Sequence, residues 1–138
     1  MKNKTLFQIV SGFVGSAIVF LFGGFDLHVQ ALLFCMITDF IIGIVGACIF
    51  HSSNKSDSGR LSSNALFKGL IKKCVCFLMV AVCYRIDLAL GLNMLRKSAI
   101  IGFICGEVIS IVENMGLMGI PIPNQIKKMI DVLNKKES

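Results

Sequence analysis

The chain contains four long apolar segments, each close to the length that a helix needs to cross a membrane. They cover residues 6–22, 27–50, 74–92 and 98–120. A transmembrane helix needs about 20 consecutive, mostly apolar residues. In a chain of 138 residues these segments leave little room for a separate soluble domain. We therefore predict an all-α integral membrane protein with a single membrane domain over residues 1–138.

The composition also favours a membrane protein, because apolar residues make up 55% of the chain and charged residues only 16%. Soluble domains usually carry about 25% charged residues. The third segment is the weakest span, since it contains Arg85 and Asp87. We predict about four transmembrane helices, with three as the alternative. In that alternative, residues 6–22 lie at the membrane surface, or Arg85 and Asp87 lie at the edge of a shorter third span.

Two polar, basic segments flank the predicted spans: a serine-rich loop over residues 51–73 and a tail over residues 121–138. Lysine and arginine are enriched on the cytoplasmic side of membrane proteins. With the N-terminus inside, eleven basic residues lie in cytoplasmic segments, and only Arg96 and Lys97 lie in outer turns. The basic residues expected at the membrane surface include Lys68, Lys72, Lys73, Lys127, Lys128, Lys135 and Lys136. We therefore predict that both termini are cytoplasmic.

The tail has the pattern of a short amphipathic helix on the inner membrane surface. Pro121 and Pro123 end the fourth span. After them, apolar residues recur at helical spacing on one face, namely Ile126, Met129, Ile130 and Leu133. A solvated tail is the alternative. The net charge of +6 is spread over the membrane-flanking segments, so it favours a lipid bilayer with anionic headgroups as the partner, rather than nucleic acid.

The sequence contains no pattern that is typical of a catalytic or metal site. Its six cysteines lie in apolar segments, where cysteine behaves as a small hydrophobic residue. Cys74 and Cys76 do not have a zinc-ligand spacing, and His28 and His51 are isolated. We therefore expect no disulfide framework, no metal, no other cofactor and no enzymatic activity.

Small residues recur four apart in three of the predicted spans. Such rows allow the backbones of two helices to approach closely in lipid. The rows are Ser11 with Gly15 and Gly12 with Ser16; Asp39, Gly43 and Ala47; and Gly102, Gly106, Ser110 and Asn114. The pattern predicts tight helix packing, and it leaves open whether this packing is within one chain or between chains.

Four acidic residues lie in the predicted spans against one basic residue, Arg85. The acids are Asp39, Asp87, Glu107 and Glu113. A charge at the centre of a bilayer costs at least about 2.5–3.5 kcal/mol, so Asp39 and Glu107 must face protein or water, or be protonated. Three interpretations stay open: they line an aqueous lesion between subunits, they pair with Arg85 or polar groups inside one bundle, or they form a proton or ion relay.

Several ordered motifs resemble those of the phage-lysis and toxin-secretion holin family. They are "DFIIGIVGA", "LSSNALFKGLIKK" with Ser63, Lys68, Gly69 and Lys73, and "GEVISIVENMGLMGIPIP" with Glu107, Ser110, Glu113, Asn114, Pro121 and Pro123. The similarity covers roughly residues 23–133. It implies a protein that oligomerises in the bacterial cytoplasmic membrane and opens lesions through which an endolysin, or in some relatives a large toxin, is released. The resemblance also implies that the endolysin or toxin passes through the lesion without binding tightly to the holin.

We therefore predict a holin, and the residues expected to control assembly and lesion opening are Asp39, Gly43, Ala47, Arg85, Gly102, Gly106, Glu107, Ser110, Glu113 and Asn114. Two alternatives remain at this stage. One is an antiholin, a membrane partner that restrains a holin. The other is a small membrane protein that conducts ions or protons.

Overall fold

The computed structural model describes residues 2–51, 57–58 and 60–136, and every regular element among them is helical. The helices are α1 (Lys2–Phe22), α2 (Leu27–Val45), which continues into a π-helical turn (Gly46–Phe50), α3 (Ser63–Leu90), α4 (Leu95–Leu117) and α5 (Asn124–Lys136). The predicted all-α fold is thereby confirmed.

Within the described part of the chain, three helical segments are long and apolar enough to cross a membrane: Asn3–Phe22, Leu27–Phe50 and Leu95–Leu117. They correspond to the first, second and fourth predicted spans. Helix α3 is not among them. At 28 residues it is about 42 Å long, but its polar and charged residues lower its hydropathy. The fourth span therefore remains a prediction.

The structure differs from the predicted loop over residues 51–73, because α3 already begins at Ser63. Part of this segment, residues 52–56 and 59, lies outside the described residues. Serine and lysine dominate the segment and led to its interpretation as a solvated loop. Its second half nevertheless places Leu66 and Leu70 four residues apart, and this spacing suits one face of a helix. Helix α3 ends at Gly91, which adopts a left-handed conformation with φ 65°.

The helices pack in the order α2, α4, α3, α1. Helices α2 and α4 lie closely side by side, α4 also contacts α3, and α1 contacts α3. A small apolar core joins the first three of these helices through Val29, Leu32, Met36, Val80 and Ile100. Most other large apolar side chains are exposed, as expected for helices that face lipid.

The α1–α2 and α3–α4 turns lie at the same end of the bundle. Asp26 accepts a hydrogen bond from the Val29 amide and begins α2. Asp87 accepts hydrogen bonds from the backbone amides of Leu95 (3.1 Å) and Arg96 (2.9 Å), and so caps the start of α4 across the turn. The Arg96 guanidinium then donates to Asp26 (2.8 Å) and joins the two turns.

Gly23, in the first of these turns, combines a positive φ of 75° with a close neighbour. A Cβ atom at this position would lie 2.5 Å from Cε2 of the Tyr84 ring. Glycine therefore lets the α1–α2 turn lie directly on α3.

Candidate functional site

Near the middle of the bundle, three charged side chains from three helices meet in an ionic cluster: Asp39 of α2, Lys73 of α3 and Glu107 of α4. The Lys73 ammonium donates to Asp39 Oδ2 at 3.0 Å and also to Glu107 Oε2. Asn114 donates from Nδ2 to the other Asp39 oxygen at 3.2 Å. Asp39 is only 4% exposed. Both of its carboxylate oxygens are thus hydrogen-bonded, as a buried charge requires.

The cluster contains two carboxylates and one ammonium group, and it therefore carries one excess negative charge when all three are ionised. The Lys73 side chain is 15% exposed and that of Glu107 is 14% exposed. In a low-dielectric environment an isolated charge of either sign is strongly disfavoured, and a paired charge is tolerated. The cluster therefore holds the three helices together, and removing Lys73 would leave both carboxylates without charge compensation.

The structure brings together Asp39, Glu107 and Asn114 inside one bundle, but the cation that pairs with the two acids is Lys73 and not Arg85. Arg85 lies elsewhere, with its guanidinium 4.0 Å from the centre of the Phe20 ring. The interpretation that Arg85 pairs with the buried acids is wrong. Glu113 is exposed, so it does not join the cluster.

The placement of Lys73 at the membrane surface is also wrong, since this side chain is the cation of the cluster. The error follows from the predicted loop: once α3 begins at Ser63, Lys73 lies within a helix and can point inward. The expected surface lysines of α3, Lys68 and Lys72, are exposed. The described tail lysines Lys127, Lys128 and Lys135 are exposed as well, and the Lys136 side chain lies outside the described residues.

The small-residue rows differ in their surroundings. Gly102 and Gly106 are exposed, and a Cβ at either position would meet no atom within 4 Å. Gly12 and Gly15 of α1 are equally open. The backbone of α4 at these two glycines is thus bare, whereas Asn114 of the same row takes part in packing within the chain.

Gly43 and Ala47 have a different environment. They line a cavity of about 50 Å³ between α2 and α3, next to Asp39 and Lys73. A cavity of this size has room for about three water molecules. The row of Asp39, Gly43 and Ala47 thus borders a small, partly polar space at the ionic cluster.

The described residues contain no group of three or more His, Cys, Asp or Glu side chains that could hold a metal ion. The free thiols are those of Cys35, Cys48, Cys74, Cys76, Cys83 and Cys105.

The second polar contact joins Asp26, in the α1–α2 turn outside the membrane-spanning segments, to Arg96 at the start of α4. The hydrogen bond from Arg96 lowers the pKa of Asp26 from 3.8 to about 2. Partial burial opposes this shift, and the hydrogen bond from the Val29 amide adds to it. A carboxylate with a lowered pKa stabilises the folded state above pH 3.8, and this contribution is lost as the pH falls towards 2.

We expect Asp26→Asn to reduce the free energy of unfolding at pH 7, because asparagine keeps the cap but loses the charge. The Asp26 side chain is 42% exposed, so the effect should be below about 1 kcal/mol. Thermal unfolding in detergent should show the two proteins converging between pH 4 and pH 2. A difference that does not change over this pH range would contradict the role of the ion pair.

The sequence matches the model of the bacteriophage holin family over residues 16–135. The chain belongs to the bacteriophage holin family. The match includes α2, α3 and α4 in full, and therefore all members of the ionic cluster in this holin-family protein. The resemblance drawn from the motifs is confirmed.

Curated relatives of this holin-family protein come from bacteria and a phage. An uncharacterised protein of Listeria innocua is 34% identical over 123 residues, which are 88% of this chain and 82% of the relative. Another, of Halalkalibacterium halodurans, is 30% identical over 141 residues, 98% of each chain. A probable holin of Bacillus phage phi105 is 30% identical over 107 residues, 77% of this chain and 73% of the relative. No solved structure matches.

Proposed function

We propose that this holin-family protein oligomerises in the bacterial cytoplasmic membrane and opens lesions that release an endolysin or a large toxin. Family membership and the similarity to a probable phage holin support a holin role. The observation that carries the mechanism is the ionic cluster of Asp39, Lys73 and Glu107. The exterior of the bundle is largely apolar, and the charged groups of the cluster lie in its interior. These groups can line a water-filled lesion once the helices rearrange.

Assembly is expected to use the bare row on α4. In lipid, helices associate through close packing of small residues, since there is no hydrophobic driving force between them. Gly102 and Gly106 leave the α4 backbone open to a neighbour outside the chain. We therefore assign this surface, which we call the α4 glycine face, to contacts between copies of the protein.

We further propose that α3 is a fourth span and that both termini are cytoplasmic. Helix α3 runs alongside α4: Asp87 caps the start of α4, and Lys73 meets Asp39 near the middle of the α2 span. If α2 and α4 cross the membrane, α3, which packs alongside α4, lies within the bilayer as well. The basic tail with α5 would then lie at the inner surface.

Reporter fusions test this arrangement. A reporter that is active only in the cytoplasm should be active when it is fused after Lys72 and after Ser138, and inactive when it is fused after Leu92. A cytoplasmic reporter after Leu92, or an external one after Ser138, would contradict the four-span topology.

The function itself is tested by inducing this protein alone in a bacterium together with a cytoplasmic endolysin. Membrane potential and endolysin release are followed over time. A delayed, abrupt loss of potential with simultaneous endolysin release is expected for a holin. Steady growth despite confirmed membrane insertion would contradict the proposal and favour an antiholin. A saturable ion flux without endolysin release would favour an ion or proton carrier.

A further inference from the structure

Helices α2 and α3 approach each other at fewer points than either helix approaches α4. The backbones of α2 and α4 lie close together over much of their length, as do those of α3 and α4, whereas α2 and α3 approach each other at few points. We call the space between them the α2–α3 seam; it is bordered by Asp39, Phe40 and Gly43 of α2, and by Leu66, Gly69 and Lys73 of α3.

Two cavities lie along this seam. The first, of about 50 Å³, is polar in part and includes Ser62, Asp39 and Lys73 in its wall. The second, of about 270 Å³, is an apolar groove that opens to the surface of the bundle beside the exposed side chains of Ile37 and Leu70. Phe40 and Lys73 border both cavities. Empty or loosely filled space of this kind removes the dispersion contacts that normally stabilise a helix interface.

The hydrogen bond between Lys73 and Asp39 crosses the seam at the point where the two cavities meet. The hydrogen bond between Lys73 and Glu107 joins α3 to α4 instead. The same ammonium group therefore connects α3 to α2 through Asp39 and α3 to α4 through Glu107. Loss of the Asp39 contact alone would free α2 from α3 and leave the Lys73–Glu107 pair in place.

We propose that the bundle opens along the α2–α3 seam, and that Lys73 is the positioning residue that keeps the seam closed by binding Asp39. Helix α4, which packs on both α2 and α3, would remain joined to α3 through the Lys73–Glu107 pair while α2 separates from α3. Opening would let water into the first cavity and expose the Asp39 and Glu107 carboxylates to the lesion. This inference rests on the proposed holin function and adds to it the interface at which the closed bundle separates.

Thiol labelling tests the seam in the intact chain, with the native cysteines replaced by serine. Ala65→Cys places a thiol in the wall of the first cavity, and Lys68→Cys places one on the exposed side of the same helix. Each protein, in lipid nanodiscs, is treated with a membrane-impermeant maleimide. Asp39→Asn removes a charged hydrogen bond, so it should raise the labelling rate of the Ala65→Cys thiol about ten-fold and leave that of Lys68→Cys unchanged. Equal rates with and without Asp39→Asn would overturn the proposal.

Cross-linking tests whether opening of the seam is needed for activity. Ala47 and Ala65 line the same cavity from the two sides of the seam. The Ala47→Cys, Ala65→Cys protein is placed in dye-filled vesicles and joined with a short bifunctional methanethiosulfonate, with the monofunctional reagent as the matched control. We expect the cross-link to reduce dye release to the level of protein-free vesicles, and a reductant to restore it.

The outcomes separate the two proposals. Equal release from cross-linked and reduced protein would overturn the seam and leave the holin function standing. No release from either protein, or from the unmodified chain, would contradict the proposed function and the inference that rests on it.

Discussion

Lys73→Met is expected to prevent stable accumulation of the protein in the membrane. Methionine has a similar length and no charge, so the variant leaves Asp39 and Glu107 without their shared cation. Removing one partner of a buried ion pair costs about 3–5 kcal/mol, because the remaining charge is unpaired. This cost is a large fraction of the free energy of unfolding of a typical domain, which is about 5–15 kcal/mol. Immunoblots of membrane fractions should show strong loss of the variant through degradation.

Lys72→Met is the matched control, since this neighbouring lysine is exposed. Its accumulation should equal that of the unaltered protein. A triple variant, Lys73→Met with Asp39→Asn and Glu107→Gln, should recover accumulation, because replacing an entire buried ionic group by neutral residues is often tolerated. If Lys73→Met accumulates as well as Lys72→Met, the ionic cluster does not stabilise the bundle.

Gly106→Leu is expected to abolish oligomers while leaving the monomer folded. A Cβ at position 106 meets no atom of its own chain within 4 Å, so the larger side chain fits without strain. On the α4 glycine face it would separate the two backbones that associate there. A loss of about 1.4 kcal/mol in helix association lowers the association constant ten-fold. Chemical cross-linking in membranes should show mostly monomer, and endolysin release should be delayed or absent.

Ile101→Phe is the control for added bulk, because Ile101 is an exposed residue of α4 that does not belong to the glycine row. It should form oligomers and release endolysin as the unaltered chain does. Unchanged oligomers and unchanged lysis timing in Gly106→Leu would show that copies of the protein meet at another surface.

The sequence predicts most of the helices because their signal is local. Residues 27–50 form a predominantly apolar segment, and the corresponding helical span is the most apolar of the three candidates. The start of α3 could not be predicted in the same way. In residues 63–73 a polar composition and a helical spacing indicate different structures, and tertiary contacts such as those of Lys73 with Asp39 and Glu107 decide between them.

The candidate site was predicted in part for a related reason. Asp39 and Glu107 stand out because an acid in an apolar segment needs a partner. The identity of that partner depends on where α3 begins and on which face of α3 meets α2 and α4. The sequence around Lys73 indicates neither of these. Likewise, the row of Gly102 and Gly106 predicts close packing without indicating whether it is inside or outside the chain.

The contact between Gly23 and Tyr84 has a consequence for the divergence of the family. A side chain at position 23 and an aromatic ring at position 84 compete for the same volume, since a Cβ would lie 2.5 Å from the ring. The two positions should therefore covary: homologues that keep an aromatic residue at 84 should keep glycine at 23. Substitutions at 23 should be found only beside a smaller residue at 84, and should favour asparagine or aspartate, which tolerate a positive φ.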